Sequence, residues 1–394
     1  MTGKPLTYRN YWRELDGQST NNMFTMPDVV PMLVKVMLVS NQIDTTPNGG
    51  RELLCKLNHD VLLSIYGERL VVFELPDSRV DGALAVFNAF RGYIDGVSES
   101  SITAALGTIR EHQITQVFVD GSNLGGFVAV LKQRLPEVEV TTFFHNVESR
   151  FFWGAWRQHP SLRSLSVMLA NYLAERKSVR YSDKLISLSE RDSRLLKIVY
   201  GRAATHIAPM VMEDKCPESF LRRPDQRPEH FALFVGGTFY ANRVGIEWFV
   251  REVVPRIDLP IYIVGRGFEE LREELEIPGK VIVVGAVESL ADWYHRAQFV
   301  IAPIFDGSGM KTKVAEALMY GKKIVGTPEA FSGYEHVVDK AGWVCDTVDD
   351  FVVSIGEAAQ GITTAFDADL REIYVNKYSF DAARDRLEAI LLEN

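Results

Sequence analysis

Short apolar runs alternate with helical patterns along most of this 394-residue chain, and that alternation admits few folds. A parallel strand reads as a continuous apolar run because helices cover both of its faces. Runs of this kind fall at residues 32–40, 70–73, 117–119, 138–144 and 184–188. Helical spacing lies between them, through Leu53, Leu54 and Leu57 and at 102–111 and 126–134. From Arg202 to Pro228 the pattern breaks: Pro209, Pro217, Pro224 and Pro228 stand among many charges, which reads as an interdomain connection. A second series follows, with strands at 231–235, 261–264, 281–284, 299–302 and 323–325 and helices at 243–254, 268–276, 289–297 and 311–320. The expected fold class is α/β, with two doubly wound, Rossmann-like domains facing across a cleft. The expected divisions are an N-terminal extension at 1–30, a first domain at 31–205, a second at 206–375 and a final helix at 376–394 packing back on the first domain.

Glycines show where chemistry would occur. Four strands of the second series end at or just before glycine: Val235-Gly236-Gly237, Val264-Gly265, Val284-Gly285 and Val325-Gly326. Room at the C-terminal ends of parallel strands is where doubly wound sheets bind ligands. The richest segment, residues 303–326, reads P-I-F-D-G-S-G-M-K-T-K-V-A-E-A-L-M-Y-G-K-K-I-V-G. A glycine loop opens a helix there, and the free N–H groups of a first helical turn favour an anion. Lys311 and Lys313 add charge. Thr312, Lys313 and Glu316 share one helix face. A carboxylate one turn behind a phosphate site suits the two hydroxyls of a ribose, so the spacing points to a nucleotide diphosphate. A lysine-rich surface helix after a turn would carry the same letters.

Composition narrows the partners. A net charge of −9 argues against general nucleic-acid binding. Residues 150–202 carry 11 Lys and Arg against 4 Asp and Glu, which is +7 and leaves −16 for the rest. That basic stretch suits either solvated helix faces or contact with an anionic membrane surface. Cys55, Cys216 and Cys345 are widely spaced and odd in number, which fits neither a disulfide framework nor a metal cluster. With no signal-like start and no apolar run of bilayer length, the expectation is a cytoplasmic protein, with peripheral contact at the inner membrane surface.

The second half resembles the retaining GT-B glycosyltransferases of the "group 1" (family four) type, which use nucleotide-diphosphate sugars. The resemblance rests on F-A-L-F-V-G-G-T-F-Y-A-N-R-V-G-I-E-W-F, I-Y-I-V-G-R-G, V-I-V-V-G-A-V-E-S-L-A-D-W-Y-H-R-A-Q-F-V-I-A-P and G-S-G-M-K-T-K-V-A-E-A-L, in order over residues 231–333. The first half is similar through P-N-G-G and F-F-H-N-V-E-S-R. The resemblance implies a donor site in the second domain and an acceptor site in the first. Glu316 matches the ribose-binding glutamate. Ser308, Gly309, Met310 and Thr312 match the loop that holds diphosphate and sugar. Lys311 and Lys313 match basic positions that neutralise the leaving diphosphate. Gly49 and Gly50 match the glycine loop of the first domain, and His145 the histidine that touches the transferred sugar. Gly285 and Val287 match the segment that reads the base. Arg243 and Arg266 are the candidates for the basic pair that follows the second domain's first strand. The first of the family's usual two glutamates, eight positions before Glu316, is replaced here by Ser308, with Asp306 nearby.

The implied reaction transfers a sugar, with retention, to a glycan, lipid-linked or protein acceptor. It proceeds by front-face substitution in which the leaving phosphate oxygen helps to take the acceptor's proton. The lysines supply charge at the diphosphate, so neither a metal nor a cofactor is expected. A nucleotide-sugar epimerase or a non-catalytic GT-B subunit are alternatives of the same fold. Glu148 reads as helix N-terminal charge rather than a catalyst. Trp153 and Trp156, beside Arg157 and His159, suit an acceptor pocket, a membrane interface or core.

Overall fold

The computed structural model describes residues 34–41, 43, 50–76, 83–222, 226–307 and 309–393. The extension expected at 1–30 lies outside them. Two six-stranded parallel sheets lie within one unit, Lys35–Asn394. The first holds β1 (Val36–Ser40), β2 (Leu70–Glu74), β3 (Gln116–Asp120), β4 (Glu139–Phe144), β5 (Lys184–Ser187) and β6 (His206–Ile207), in the order β2-β1-β3-β4-β5-β6. The second holds β7 (Ala232–Val235), β8 (Ile261–Val264), β9 (Val281–Gly285), β10 (Phe299–Ala302), β11 (Ile324–Gly326) and β12 (Gly342–Val344), in the order β12-β11-β10-β7-β8-β9.

The apolar runs form strands because their side chains have helices on both sides. Every residue of β1, β7 and β10 is buried. At roughly 1.5–3 kcal/mol for each large apolar side chain taken from water, such strands dominate the stability of both cores. Two strands escape the sequence pattern. β6 is two residues long and β12 is half-exposed Gly-Trp-Val, so neither yields an apolar run. β6 extends the first sheet beyond residue 205. The Thr205 N–H donates to Leu185 O at 2.9 Å and Ala208 to Ser187 O at 2.9 Å, so the first sheet continues until the prolines begin at Pro209.

The final helix, Phe380–Leu392, lies against the first sheet rather than the second. Gln116 of β3 donates to Leu391 O at 3.0 Å, and His206 of β6 meets Glu393 Oε2 at 2.6 Å. Its apolar stripe (Ala383, Leu387, Ile390 and Leu391) is buried.

Each sheet reverses its winding at one place. In the first, β1 lies between β2 and β3; in the second, β7 lies between β10 and β8. Loops leaving the two strands on either side of such a point diverge and leave a crevice. The loops after β7 and β10 therefore bound one crevice, and those after β1 and β3 bound the other. A close approach tightens the crevice of the second sheet. The helix Tyr240–Glu252 crosses the exit of β10 at Gly245, where a Cβ would stand 1.8 Å from Pro303 O.

Candidate active site

The second crevice is built around a buried cation. The helix Thr312–Met319 starts at the exit of β10, and Lys313, in its first turn, is 7% exposed. Its Nζ donates to Asn242 Oδ1 at 2.7 Å and stands 4.5 Å from the centre of the Phe234 ring. A neutral amide and a ring face compensate a buried ammonium only in part. Burial pulls the Lys313 pKa down to about 7, against the opposing pull of Glu316. Bringing an anion to this point would relieve that cost.

Glu316 sits one turn on, with Oε2 accepting from Tyr294 OH at 3.0 Å. Burial raises its pKa above the ordinary carboxylate range, opposed by that hydrogen bond and by Lys313. Tyr294 is fully buried and stacks on Tyr320 with ring centres 4.5 Å apart, which fixes the carboxylate's direction.

Lys311 has a different position from its neighbour. Its Nζ donates to Gly309 O at 3.0 Å and pairs with Glu329 at 2.8 Å, and Glu329 in turn lies 3.5 Å from Arg191 of the first domain. Burial lowers the Lys311 pKa although Glu329 opposes the shift. Lys311 thus braces the glycine loop, while Lys313 carries the less compensated charge. Met310 is buried, and Thr312 is half-buried at the helix start. Asp306 Oδ1 accepts from the Gly307 N–H at 2.8 Å. Ser308 and Gly49 lie outside the described residues.

Other candidates lie farther out. Arg243 is exposed on the helix Tyr240–Glu252, paired with Glu247 at 2.6 Å and with Glu274 at 3.8 Å; its neighbour Asn242 meets Lys313. Arg266 is exposed after β8, where its carbonyl accepts from Thr238 N–H at 3.2 Å. Gly285 ends β9 in the left-handed region, at φ +84°, and its carbonyl accepts from Gly265 N–H at 2.8 Å. Val287 is half-buried just beyond.

The first domain meets this loop directly. Gly309 has φ +65°, and a Cβ there would stand 3.3 Å from His145 O. The structure therefore brings the His145 backbone against the glycine loop. Its ring points to Asp120, with Nε2 2.8 Å from Oδ1. Asp120 is fully buried at the end of β3 and also accepts from Asn58 Nδ2 at 2.8 Å. Burial works to raise the Asp120 pKa, but His145 and Asn58 hold it below the ordinary carboxylate range. Cys55 completes a cluster whose metal-ligating atoms lie within 4.8 Å of one another. Burial pushes that thiol well above its usual pKa, which disfavours the thiolate a metal would need. The cluster works as a hydrogen-bond hub joining β3, the His145 turn and the helix Gly50–Tyr66.

A second carboxylate closes the floor. Glu175, fully buried in the helix Leu162–Tyr181, accepts from the N–H groups of Glu148 and Ser149 at 2.9 and 3.1 Å, from Ser122 Oγ at 2.9 Å and from Tyr200 OH at 2.6 Å. It caps the helix Glu148–Gln158 from outside. Gly50 starts the helix Gly50–Tyr66, and Arg51 beside it donates to Asn41 at 3.0 Å, Asp95 at 3.1 Å and Asn123 at 3.4 Å.

Sequence reasoning missed Asn242, Tyr294, Glu329, Asp120 and Glu175. Asn242 follows a strand-ending glycine pair, which is a legible signal; the others are ordinary letters brought in from distant segments. The chain's Asp-x-Asp spacing, Asp367 and Asp369, is spent on a helix cap, with Asp367 accepting from Asp369 N–H at 3.0 Å.

The geometry can be set beside known proteins. Residues 229–361 match the family model "Glycosyl transferases group 1". Sucrose-phosphate synthase from Thermosynechococcus elongatus is 14% identical, with a TM-score of 0.65 over 91% of this chain and 98% of that one. HepE of Anabaena, solved with UDP, is 13% identical, with a TM-score of 0.62 over 91% and 99%. The lipopolysaccharide outer core galactosyltransferase WaaB, in its apo form, is 14% identical, with a TM-score of 0.60 over 91% and 99%. A comparison with curated protein sequences finds no match. On these findings the chain has the two-domain GT-B fold, and residues 229–361 of its second domain are similar to the group 1 glycosyl transferases.

Proposed function

We propose that the protein transfers a sugar, with retention at the anomeric carbon, from a nucleotide-diphosphate sugar to a hydroxyl-bearing acceptor. The observation that carries this reading is the buried, undercompensated Lys313 one turn before the half-buried Glu316, at the crevice of a domain similar to group 1 transferases. Breaking a sugar–diphosphate bond places negative charge on the departing phosphate. Lys313 and the N–H groups of its helix would meet that charge as it develops. Glu316, aimed by Tyr294, would accept the ribose hydroxyls. HepE, solved with UDP and with UDP-glucose, supports a uridine donor. Lys313 and the helix N–H groups would offset the leaving group's charge without a metal, and front-face substitution would give retention without a covalent carboxylate intermediate.

The test is binding and nucleotide release with UDP-, GDP- and ADP-glucose, comparing the parent with Glu316→Ala. One donor should bind tightly and lose its affinity in the variant. No binding of any donor would favour a non-catalytic GT-B subunit, and donor conversion without transfer would favour an epimerase.

One surface supports an acceptor borne by a membrane. Phe151 (42% exposed), Trp153 (48%) and Leu162 (84%) project from two consecutive helices, among the exposed arginines Arg150, Arg157 and Arg163. Aromatic and aliphatic side chains ringed by arginine suit an anionic bilayer surface. Among the described residues no helix is long and apolar enough to cross a membrane.

A further inference from the structure

The turn between β4 and the helix Glu148–Gln158 is clamped at both ends. On one side His145 Nε2 lies 2.8 Å from Asp120 Oδ1. On the other, Val147 is buried, and Glu175 holds the N–H groups of Glu148 and Ser149 at 2.9 and 3.1 Å. Asn146 stands between these anchors, and its Oδ1 is buried with no hydrogen-bond partner among the described residues. A buried amide oxygen without a donor is costly, and a turn held at both ends has little freedom to find one. The turn faces the glycine loop: a Cβ on Gly309 would stand 4.0 Å from Asn146 Cβ, as well as 3.3 Å from His145 O. Gly309 comes just before the helix Thr312–Met319, which carries Lys313 and Glu316.

Chemistry limits what can supply the missing donor. An amide oxygen only accepts, so it has nothing to offer the unprotonated oxygens of a diphosphate. A nucleotide-diphosphate sugar carries hydroxyls in two places, the ribose and the transferred sugar. Glu316 is committed to the ribose on the reading above. The transferred sugar hangs directly from the diphosphate, at the loop that Asn146 faces. We propose, on the transferase reading above, that Asn146 is a specificity-determining residue whose Oδ1 accepts a hydrogen bond from a hydroxyl of the transferred sugar. A sugar that lacks this hydroxyl leaves the amide oxygen unpaired and binds more weakly. Asn146 moves no proton in this role. It orients the sugar, and the departing phosphate oxygen takes the acceptor's proton as before.

Calorimetry on the full chain tests this without knowledge of the acceptor. UDP-glucose, UDP-galactose, GDP-mannose and ADP-glucose would first identify the donor that the parent binds most tightly. Asn146→Ala and Asn146→Leu would then be compared with the parent for that donor, for its free nucleoside diphosphate, and for the same donor lacking one sugar hydroxyl at a time, with Tm measured alongside. Both variants should bind the free nucleotide like the parent and lose about 3- to 10-fold in affinity for the donor. One deoxy donor should bind the parent as weakly, and lose nothing further in Asn146→Ala. Tm should hold or rise, because an unpaired buried amide has been removed. An equal loss for free nucleotide and donor would overturn the proposal, since it would put Asn146 on the nucleotide. So would an unchanged affinity for the donor, a parent that binds every deoxy donor as tightly as the full sugar, or a fall of Tm in both variants. A parent that binds none of the four donors would instead fail the transferase reading, and the sugar contact would fall with it.

Discussion

The two crevices use opposite chemistry. At the reversal of the second sheet the buried charge is a lysine held by an amide, with a second lysine bracing the loop. At the reversal of the first sheet the buried charges are carboxylates, Asp120, Glu148 and Glu175, with the exposed Arg51 beside them. On the proposed function, one crevice would receive the donor's anion and the other the acceptor's hydroxyls. The same winding thus carries opposite charge in the two crevices, and the identity of a few buried side chains at the strand ends makes the difference.

The contrast can be broken most severely at Asp120. Asp120→Ala would strand His145 and Asn58 in the core of the first domain and should cost about 3–5 kcal/mol in urea unfolding, an effect that Asn242→Ala in the other crevice should not approach. A smaller but sharper break is Lys313→Met. Removing the charge-assisted contact to the diphosphate should weaken UDP binding about 10- to 100-fold by calorimetry while leaving the fold in place.

Protonation gives a third handle. The Lys313 pKa is lowered by burial to about 7, and a bound diphosphate would raise it. In the window above pH 7 the free protein would hold Lys313 largely neutral, so UDP binding at pH 8 should take up a proton. Binding enthalpies that vary with the ionisation enthalpy of the buffer would reveal the uptake, and Lys313→Met should abolish it. Tyr294→Phe should act more gently, because it only loosens Glu316. A loss of about 1 kcal/mol in UDP affinity is expected, with no change for ligands of the first crevice. Arg243→Ala should change UDP affinity by less than about twofold, since its side chain is spent on an exposed pair with Glu247.

The second crevice was the more legible of the two in the sequence, for a physical reason. Its parts are local: glycines at strand ends, a lysine and a glutamate three apart on one helix. Spacing alone brings these together. The first crevice is assembled from residues 51, 95, 120, 148 and 175, and nothing local says that they meet. Glu148 reads as a helix-start charge until Glu175, 27 residues on, is seen to have taken its capping role. His145 was legible as a position but not in its orientation, which depends on Asp120 from a neighbouring strand. The fold itself was legible except where strands were too short to show a run, as in β6 and β12.

The polypeptide crosses between the sheets twice, once after β6 and again before the helix Phe380–Leu392. The two crossings touch: Met212 N–H donates to Tyr378 O at 2.8 Å, and Tyr374 OH donates to Met212 O at 2.8 Å. Two strands of chain fastened side by side behave like the pins of a door hinge. They allow rotation about the line that joins them and resist twist around any other. An opening of the cleft would therefore swing along a single arc, and it would have to part the Arg191–Glu329 pair.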